Sequence, residues 1–397
     1  MTWSPKRLDH LGLVSRGRSR HRPRDAAHLY GGPHPFIQTG DVKHAGLYIT
    51  DYTQTYSEAG LAQSKLWPVG TLCITIAANI ADTAILGIDA CFPDSVIGFT
   101  ADPCQSDTRF VKYLFDATIK RRAQQFSQGA TQDNLSQEKL LSLEFNVPSV
   151  DVQTQVADNL SAYDDLIENN RRRMGLLEES ARLLYREWFV RLRFPGYEHT
   201  RIVDGLPQGW ERKTLGQFAR INQTNLGGTF DGEIEYIDIA AVTPNAVNET
   251  TRYQFRDAPG RARRVVRHGD IIWSCVRPNR RSHAVIWNPL ENLVASTGFA
   301  VISPTSLPTS FLYQTVTSDS FVGYLENHAK GAAYPAVVAG DFERAGVLVP
   351  PSALVIAFNE FAEPMLSQTH CLRLQNQKLR AARDLLLPRL MSGEIAV

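Results

Sequence analysis

The chain has 397 residues, 43% hydrophobic and 21% charged, a composition that excludes a disordered chain and suits two to three ordinary globular domains. Its formal net charge is only +1, so bulk charge does not point to nucleic acid. Cys73, Cys91, Cys104, Cys275 and Cys371 are scattered, with no Cys-x-x-Cys and no His-Glu-x-x-His, which argues against a zinc site or a disulfide framework and suits a reducing cytoplasm.

The charge is blocked along the chain. Of the 42 basic residues only nine are Lys. Met1–Arg24 holds seven basic residues against Asp9, and Asp151–Ser180 is mainly acidic. Arg252–Arg281 holds nine Arg against Asp257 and Asp270. Basic blocks of this kind suit phosphate-facing patches, although a solvated face is the ordinary role of any single Arg. No apolar signal core opens the chain. The most apolar stretch, Leu66–Ile88, is broken by Pro68, Gly70, Asn79 and Asp82, which predicts buried strands and no membrane span.

In chain order, the first half presents Trp3–Leu11-Gly12, then Phe36-Ile37-Gln38 with Val42. Val69-Gly70-Thr71-Leu72 follows, opening the β-type run Thr71–Ile76, and Thr108–Gln125 reads as helical. The second half repeats the order: Trp210–Leu215-Gly216, Tyr236-Ile237-Asp238 with Val242, and His268-Gly269-Asp270-Ile271 opening the run Asp270–Val276. The offset drifts between 199 and 204 residues and settles at 202, where Gly129–Pro148 matches Gly331–Pro350 without a gap. Each repeat reads as a mixed α/β domain followed by one long helix. The expected boundaries are 1–149 and 210–350 for the domains, 150–194 and 351–397 for the helices, and 195–209 for the linker.

The first helical pattern, Val152–Phe194, places Leu160, Tyr163, Ile167, Asn170, Met174, Leu177, Ala181, Leu184 and Trp188 at alternating spacings of three and four, a heptad seam. Pro195-Gly196 ends it. The second runs from about Ser352 to Leu390 with Phe358, Ala362, Met365, Thr369, Leu372, Asn376, Leu379, Arg383 and Leu386; Pro364 and Pro388 should bend or interrupt it. Such stripes predict mutual pairing. An antiparallel register with Asn170 beside Asn376 matches the two polar seam residues, because each amide can satisfy the other. It sets Trp188 beside Phe358, brings Tyr163 to Arg383, where the guanidinium should lie over the ring or snorkel outward, and lays Met391–Ile395 against the first domain. A helix of ~40 residues is ~60 Å long, close to the roughly 70 Å of two DNA turns.

These residues resemble a known family. Gly175-Leu-Leu-Glu-Glu-Ser-Ala-Arg-Leu-Leu-Tyr-Arg-Glu-Trp-Phe-Val-Arg191, Phe194-Pro-Gly-Tyr197 and Gly205-Leu-Pro-Gln-Gly-Trp210 resemble the central conserved region of type I restriction-modification specificity subunits. Leu385–Ile395 resembles the distal conserved region, and Gly129-Ala-Thr-Gln-Asp-Asn-Leu135 an element at the end of a target-recognition domain. In the second repeat that element becomes Gly331-Ala-Ala-Tyr-Pro-Ala-Val337. The resemblance implies two pseudo-repeated α/β target-recognition domains separated by an antiparallel coiled-coil pair of long helices. Each domain would read one half of a bipartite, asymmetric double-stranded DNA site. Methylation subunits carrying S-adenosylmethionine would dock on the helices, and restriction subunits would add ATP- and Mg2+-dependent cleavage. The chain itself would be a cytoplasmic, non-catalytic subunit without cofactor or metal.

The residues agree that chemistry lies elsewhere: there is no Gly-Lys for a Walker A loop, no amino-methyltransferase Pro-Pro-aromatic motif, and no acid partner for the adjacent Ser282 and His283. The DNA-binding candidates in the first domain are Lys43, His44, Arg121, Arg122, Gln124, Gln128 and Gln132. In the second they are Arg261, Arg263, Arg264, Arg277, Asn279, Arg280, Arg281, Lys330 and Tyr334. Arg can fork onto guanine and Asn onto adenine, while other Arg anchor phosphates. The alternative is a helical protein-interaction scaffold with non-specific nucleic-acid binding.

Overall fold

The computed structural model describes residues 3–77, 80–120, 136–331, 333–395 and 397. The chain forms two compact units, Met1–Arg171 with Leu374–Val397, and Arg172–Arg373. In the first unit the strands are β1 (Ser4–Arg7), β2 (Gly12–Arg16), β3 (Tyr30–Phe36), β4 (Tyr48–Ile49), β5 (Gln54–Tyr56), β6 (Leu72–Thr75), β7 (Thr83–Leu86), β8 (Val96–Ala101) and β9 (Glu144–Val147). Short helices α1 (Thr39–His44), α2 (Glu58–Ala62), α3 (Thr108–Phe115) and α4 (Gln137–Ser142) lie between them. The main sheet has the order β2-β8-β6-β7-β4. Strand β6 is buried on both faces, so it lacks a polar alternation. Leu72 and Ile74 join Phe110 and Phe115 of α3, while Cys73 faces Trp67 and Phe92.

The second unit holds a hairpin of β10 (Ile202–Val203) and β11 (Leu206–Pro207), followed by β12 (Glu211–Thr214), β13 (Ala219–Ile221), β14 (Glu233–Ile237), β15 (Val242–Thr243) and β16 (Ala246–Val247). Next come β17 (Thr251–Gln254), β18 (Ala262–Val265), β19 (Ile271–Ser274), β20 (His283–Val285), β21 (Leu293–Ser296), β22 (Phe299–Pro304) and β23 (Gly346–Val349). Its helices are α6 (Thr309–Thr317), α7 (Asp319–His328) and α8 (Ala339–Arg344). The sheet order β13-β22-β19-β20 reproduces β2-β8-β6-β7, and β12–β23 reproduces β1–β9. A further sheet, β17-β14-β21-β18, distinguishes the second repeat.

The shared glycines have a physical cause. Gly70 and Gly269 both sit at φ +85, a left-handed conformation that a side chain would strain. Both donate the same bond, Gly70 to Leu86 O and Gly269 to Ile286 O, each at 2.9 Å. The turn that starts the central strand is therefore identical in the two repeats. At the domain start the sequence alignment needs correction. The short turns Leu8–His10 and Leu215–Gln217 follow equivalent strands, so Leu215-Gly216 answers Leu8-Asp9 rather than Leu11-Gly12. A Leu-Gly dipeptide was a weaker marker than the strand pairing.

Two long helices complete the chain, α5 (Val150–Tyr185), extended by a wider turn at Arg186–Val190, and α9 (Ser352–Met391). Pro364 and Pro388 do not interrupt α9. Within the first unit Asn170 Nδ2 donates to Asn376 Oδ1 at 2.9 Å, and Asn376 Nδ2 donates to Ile167 O at 3.1 Å. Arg383 pairs with Asp164, so the helices run antiparallel in the expected register. The expected Tyr163–Arg383 contact is corrected here. The Arg383 head goes to Asp164 and, at 2.7 Å, to Asp384, because a carboxylate outcompetes a ring face. Asp164 also accepts from Tyr113 Oη of α3 at 2.6 Å, tying α3 to α5. Within the second unit, Phe358 lies 6.3 Å from Trp188 and 5.2 Å from Phe189. Leu160, Ile167, Phe358, Leu372 and both Asn are buried; Met174, Leu177, Leu184, Trp188, Met365, Leu379 and Leu386 are partly so. Leu390 and Met391 enter the core of the first unit, and Gly393 packs on the Trp3 indole, as expected for the C-terminal segment.

Candidate nucleic-acid interface

The second repeat holds the best-defined basic feature. Between β19 and β20 the chain makes a short turn, Pro278–Arg280, bracketed by two residues in left-handed conformations, Arg277 (φ 52) and Arg281 (φ 53). A non-glycine residue there costs roughly 1–2 kcal/mol, so the surroundings must pin it. They do. The Arg277 N–H donates to Pro335 O at 2.7 Å, and Val276 bridges to Ala336. The Arg277 guanidinium lies 4.6 Å from the centre of the Tyr334 ring. Arg281 is held at 2.6 Å by Asp319 of α7, whose carboxylate Arg281 keeps below the usual range. Pro278 is buried, whereas Asn279 and Arg280 are exposed. The candidate segments Arg277–Arg281 and Lys330–Tyr334 are thus brought together, and Lys330 exchanges backbone bonds with Ala336 at 2.9 Å.

The remaining basic candidates of this repeat are more occupied. Arg263 lies over the Phe255 ring at 4.4 Å. Arg264 donates to Asn225 Oδ1 at 2.9 Å, and its Nε is buried with no partner among the described residues. Burial pushes the Arg264 guanidinium down. Arg261 is exposed, and its carbonyl accepts from Thr297. Next to the tip, His283 of β20 is buried and meets Tyr313 Oη at 3.1 Å; burial, then the Arg281 charge, lower it to about 4.

In the first repeat Lys43 and His44 occupy the last turn of α1, both exposed, with His44 Nδ1 at 2.8 Å from Gly40 O. Arg121, Arg122, Gln124, Gln128 and Gln132 lie outside the described residues. No cluster of metal-ligating side chains occurs among the described residues, and no helix among them is long and apolar enough to cross a membrane.

Residues 1–179 match the family described as the type I restriction modification DNA specificity domain. The whole chain is 23% identical to the MjaIX specificity subunit of Methanocaldococcus jannaschii, covering 94% of that protein. Residues 1–179 thus resemble a type I restriction-modification DNA specificity domain, and the chain as a whole is similar to specificity subunits of that kind. Over 68% of its length the chain is also 21% identical to the HindI specificity subunit of Haemophilus influenzae, covering 72% of it. It shares its fold with the S subunit from M. genitalium, with a TM-score of 0.60 at 15% identity over 98% of this chain and 96% of that one. These likenesses are to DNA specificity domains and subunits, and they do not favour the scaffold alternative.

Sequence reasoning missed a polar hub in the second unit. Asn245 Oδ1 accepts from Tyr313 Oη at 2.7 Å, and its Nδ2 donates to Glu178 of α5 at 3.0 Å. Its carbonyl accepts from Arg373 of α9 at 2.9 Å. Asn245 stands at φ +66, and Pro244-Asn245 in the sequence was the available signal.

Proposed function

We propose that this chain is a type I restriction-modification specificity subunit that reads a bipartite, asymmetric double-stranded DNA site, with residues 1–149 as the first target-recognition domain and 210–350 as the second. The observation that carries this reading is the duplicated strand order bearing unlike loops. The second copy ends in a pinned tip that presents Asn279 and Arg280 to solvent. A tip ordered before contact gives up little entropy on binding, and Asn and Arg carry the side-chain forks that distinguish adenine and guanine in the major groove. Arg277, Arg281, Lys330 and Tyr334 hold the tip; Arg261, Arg263 and Arg264 stand on the strand side. Lys43 and His44, with Arg121, Arg122, Gln124, Gln128 and Gln132, are the corresponding candidates in the first domain. Residues 150–194 and 351–397 are the helices that set the spacing between half-sites, and 195–209 is the linker.

Leu176, Leu183 and Val190 stand exposed at seven-residue spacing along α5 and its extension, a stripe suited to partner helices. We assign it to the methylation subunits, which carry S-adenosylmethionine; restriction subunits carry ATP and Mg2+, and the complex works in the cytoplasm. The test is a domain exchange in the host. Replacing residues 1–147 with those of a related subunit should change one half of the methylated motif only, as read by methylome sequencing. A change in both halves, or in neither, rejects the assignment.

A further inference from the structure

The N-terminal basic block contains an order that the DNA-reading candidates leave unused. Arginines occupy every second position, Arg16, Arg18, Arg20, Arg22 and Arg24. Strand β2 ends at Arg16 and the chain continues along β8 and the segment before it, Gly17 N–H donating to Val96 O at 2.8 Å and Arg18 N–H to Phe92 O at 3.0 Å. Burial follows the same period: Gly17 and Ser19 are buried, whereas Arg16, Arg18 and Arg20 are exposed. Gly17 has no substitute here, because a Cβ would sit 2.3 Å from Pro93 O. The neighbouring segment locks the strip. Gln63 Oε1 accepts both the Arg20 and His21 N–H groups, at 2.6 and 3.0 Å, and Ser64 Oγ donates to Arg18 O at 2.8 Å.

That lock adds a third cation. Lys65 follows Ser64, with its ammonium 3.4 Å from the centre of the Trp67 ring. Burial, then the Arg18 charge, push the ammonium down. Asp94 is engaged by Arg24 at 2.9 Å, and its carbonyl by Arg16 Nε at 3.0 Å; Asp25 is exposed nearby in sequence. Among the described residues no carboxylate pairs with Arg18, Arg20 or Lys65. Packing like charges on a rigid strip is unfavourable unless an anion neutralises them. The stretch that follows β13 in the second repeat carries no such row: Asn222 (φ +57) is followed by Gln223-Thr224-Asn225.

We propose that Arg18, Arg20 and Lys65 form a backbone-phosphate contact of the first recognition domain, gripping double-stranded DNA without reading its bases. The proposal rests on the DNA-reading function above. Alternate residues of an extended strand stand about 6.6 Å apart on one side, so the strip presents a row of charge to the duplex backbone. Guanidinium groups suit such anions because they donate in pairs.

The test uses the full-length chain and a 40-base-pair duplex of scrambled sequence, titrated by fluorescence anisotropy at several salt concentrations. Each lost phosphate contact lowers the salt slope by about 0.9. Arg18→Gln with Arg20→Gln should therefore lower it by about 1.8. The affinity loss between 50 and 200 mM salt should then be about twelvefold smaller than in the wild type. The variant Arg18→Lys with Arg20→Lys should keep the wild-type slope, and Lys65→Gln should remove about one further contact. Both Arg positions are exposed, and circular dichroism verifies that each variant is folded. If the wild type binds with a steep slope and the Gln variant keeps it, the strip is not a phosphate contact while the DNA reading stands. If the wild type shows no salt-dependent binding to any duplex, the DNA reading fails and this proposal with it.

Discussion

Replacing Asn376 by Leu should destabilise the chain, and replacing Asn170 as well should restore most of the loss. The two side chains are 3% and 7% exposed, so water cannot stand in for either amide. In the wild type Asn170 donates to Asn376, and Asn376 donates in turn to the Ile167 carbonyl. That carbonyl also lies within the helical ladder, so losing the second bond costs little. Losing Asn376 strands the buried Asn170 amide, and an unsatisfied buried polar group costs about 1–3 kcal/mol. In the double variant both amides are gone and two Leu meet in an apolar seam, which is close to neutral or stabilising. The double variant should therefore cost less than the sum of the two singles, by at least the roughly 1–3 kcal/mol of one stranded amide. Urea unfolding of the wild type, both single variants and the double variant, followed by circular dichroism, reads it directly. A neutral Asn376→Leu, or a double variant that costs the sum of the singles, would refute the argument that the two amides satisfy each other.

His283 predicts a pH dependence. Its folded value of about 4 lies below the ordinary histidine range, so between those two values the unfolded chain binds the extra proton. Stability should fall as pH drops through that window, by up to about 3 kcal/mol, and His283→Phe should flatten the slope; an unchanged slope in thermal melts from pH 7 to pH 4 counts against it. Tyr334→Ala removes the ring beneath Arg277, a contact worth about 0.5–1 kcal/mol at an exposed site. Cognate DNA affinity should drop about two- to fivefold, with discrimination relaxed at bases of one half-site only. Competition binding with single-base variants measures this, and a loss spread over both halves would contradict the placement of the tip.

The helices were legible in the sequence because their signal is periodic and long. Leu160, Ile167 and Met174 recur at heptad spacing, as do Met365, Leu372 and Leu379, and one Asn in each seam admits few registers. Asp164 was not legible. It sits one residue beyond Tyr163, and its burial depends on Arg383 and Tyr113, which come from distant parts of the chain. The repeat could be read at Gly70 and Gly269, where backbone conformation dictates the residue, but was misaligned at Leu11, where only residue similarity was available. The Arg277–Tyr334 pair joins positions whose separate candidacies rested on charge and on family likeness, and only the strand-to-loop bridges bring them together. The locked strip beside Gln63 was visible as a basic block but not as a built surface, since the lock comes from a segment some forty residues away.

Asn279 and Arg280 stand on the tip without holding it. The strain at Arg277 and Arg281 is balanced by partners outside the tip: the Pro335 carbonyl, the Tyr334 ring and the Asp319 carboxylate. Core residues Ile271 and Trp273 lie below it and do not include Asn279 or Arg280. A substitution at either exposed position therefore leaves the sheet core and the pins in place, and its effect falls on whatever the tip touches. By contrast, a side chain at Gly269 would strain the turn that begins β19, and a small residue at Phe358 would open the cluster that includes Phe189 and Phe311. On the proposed DNA reading, Asn279 and Arg280 can therefore change with the target while Gly269 and Phe358 keep the fold.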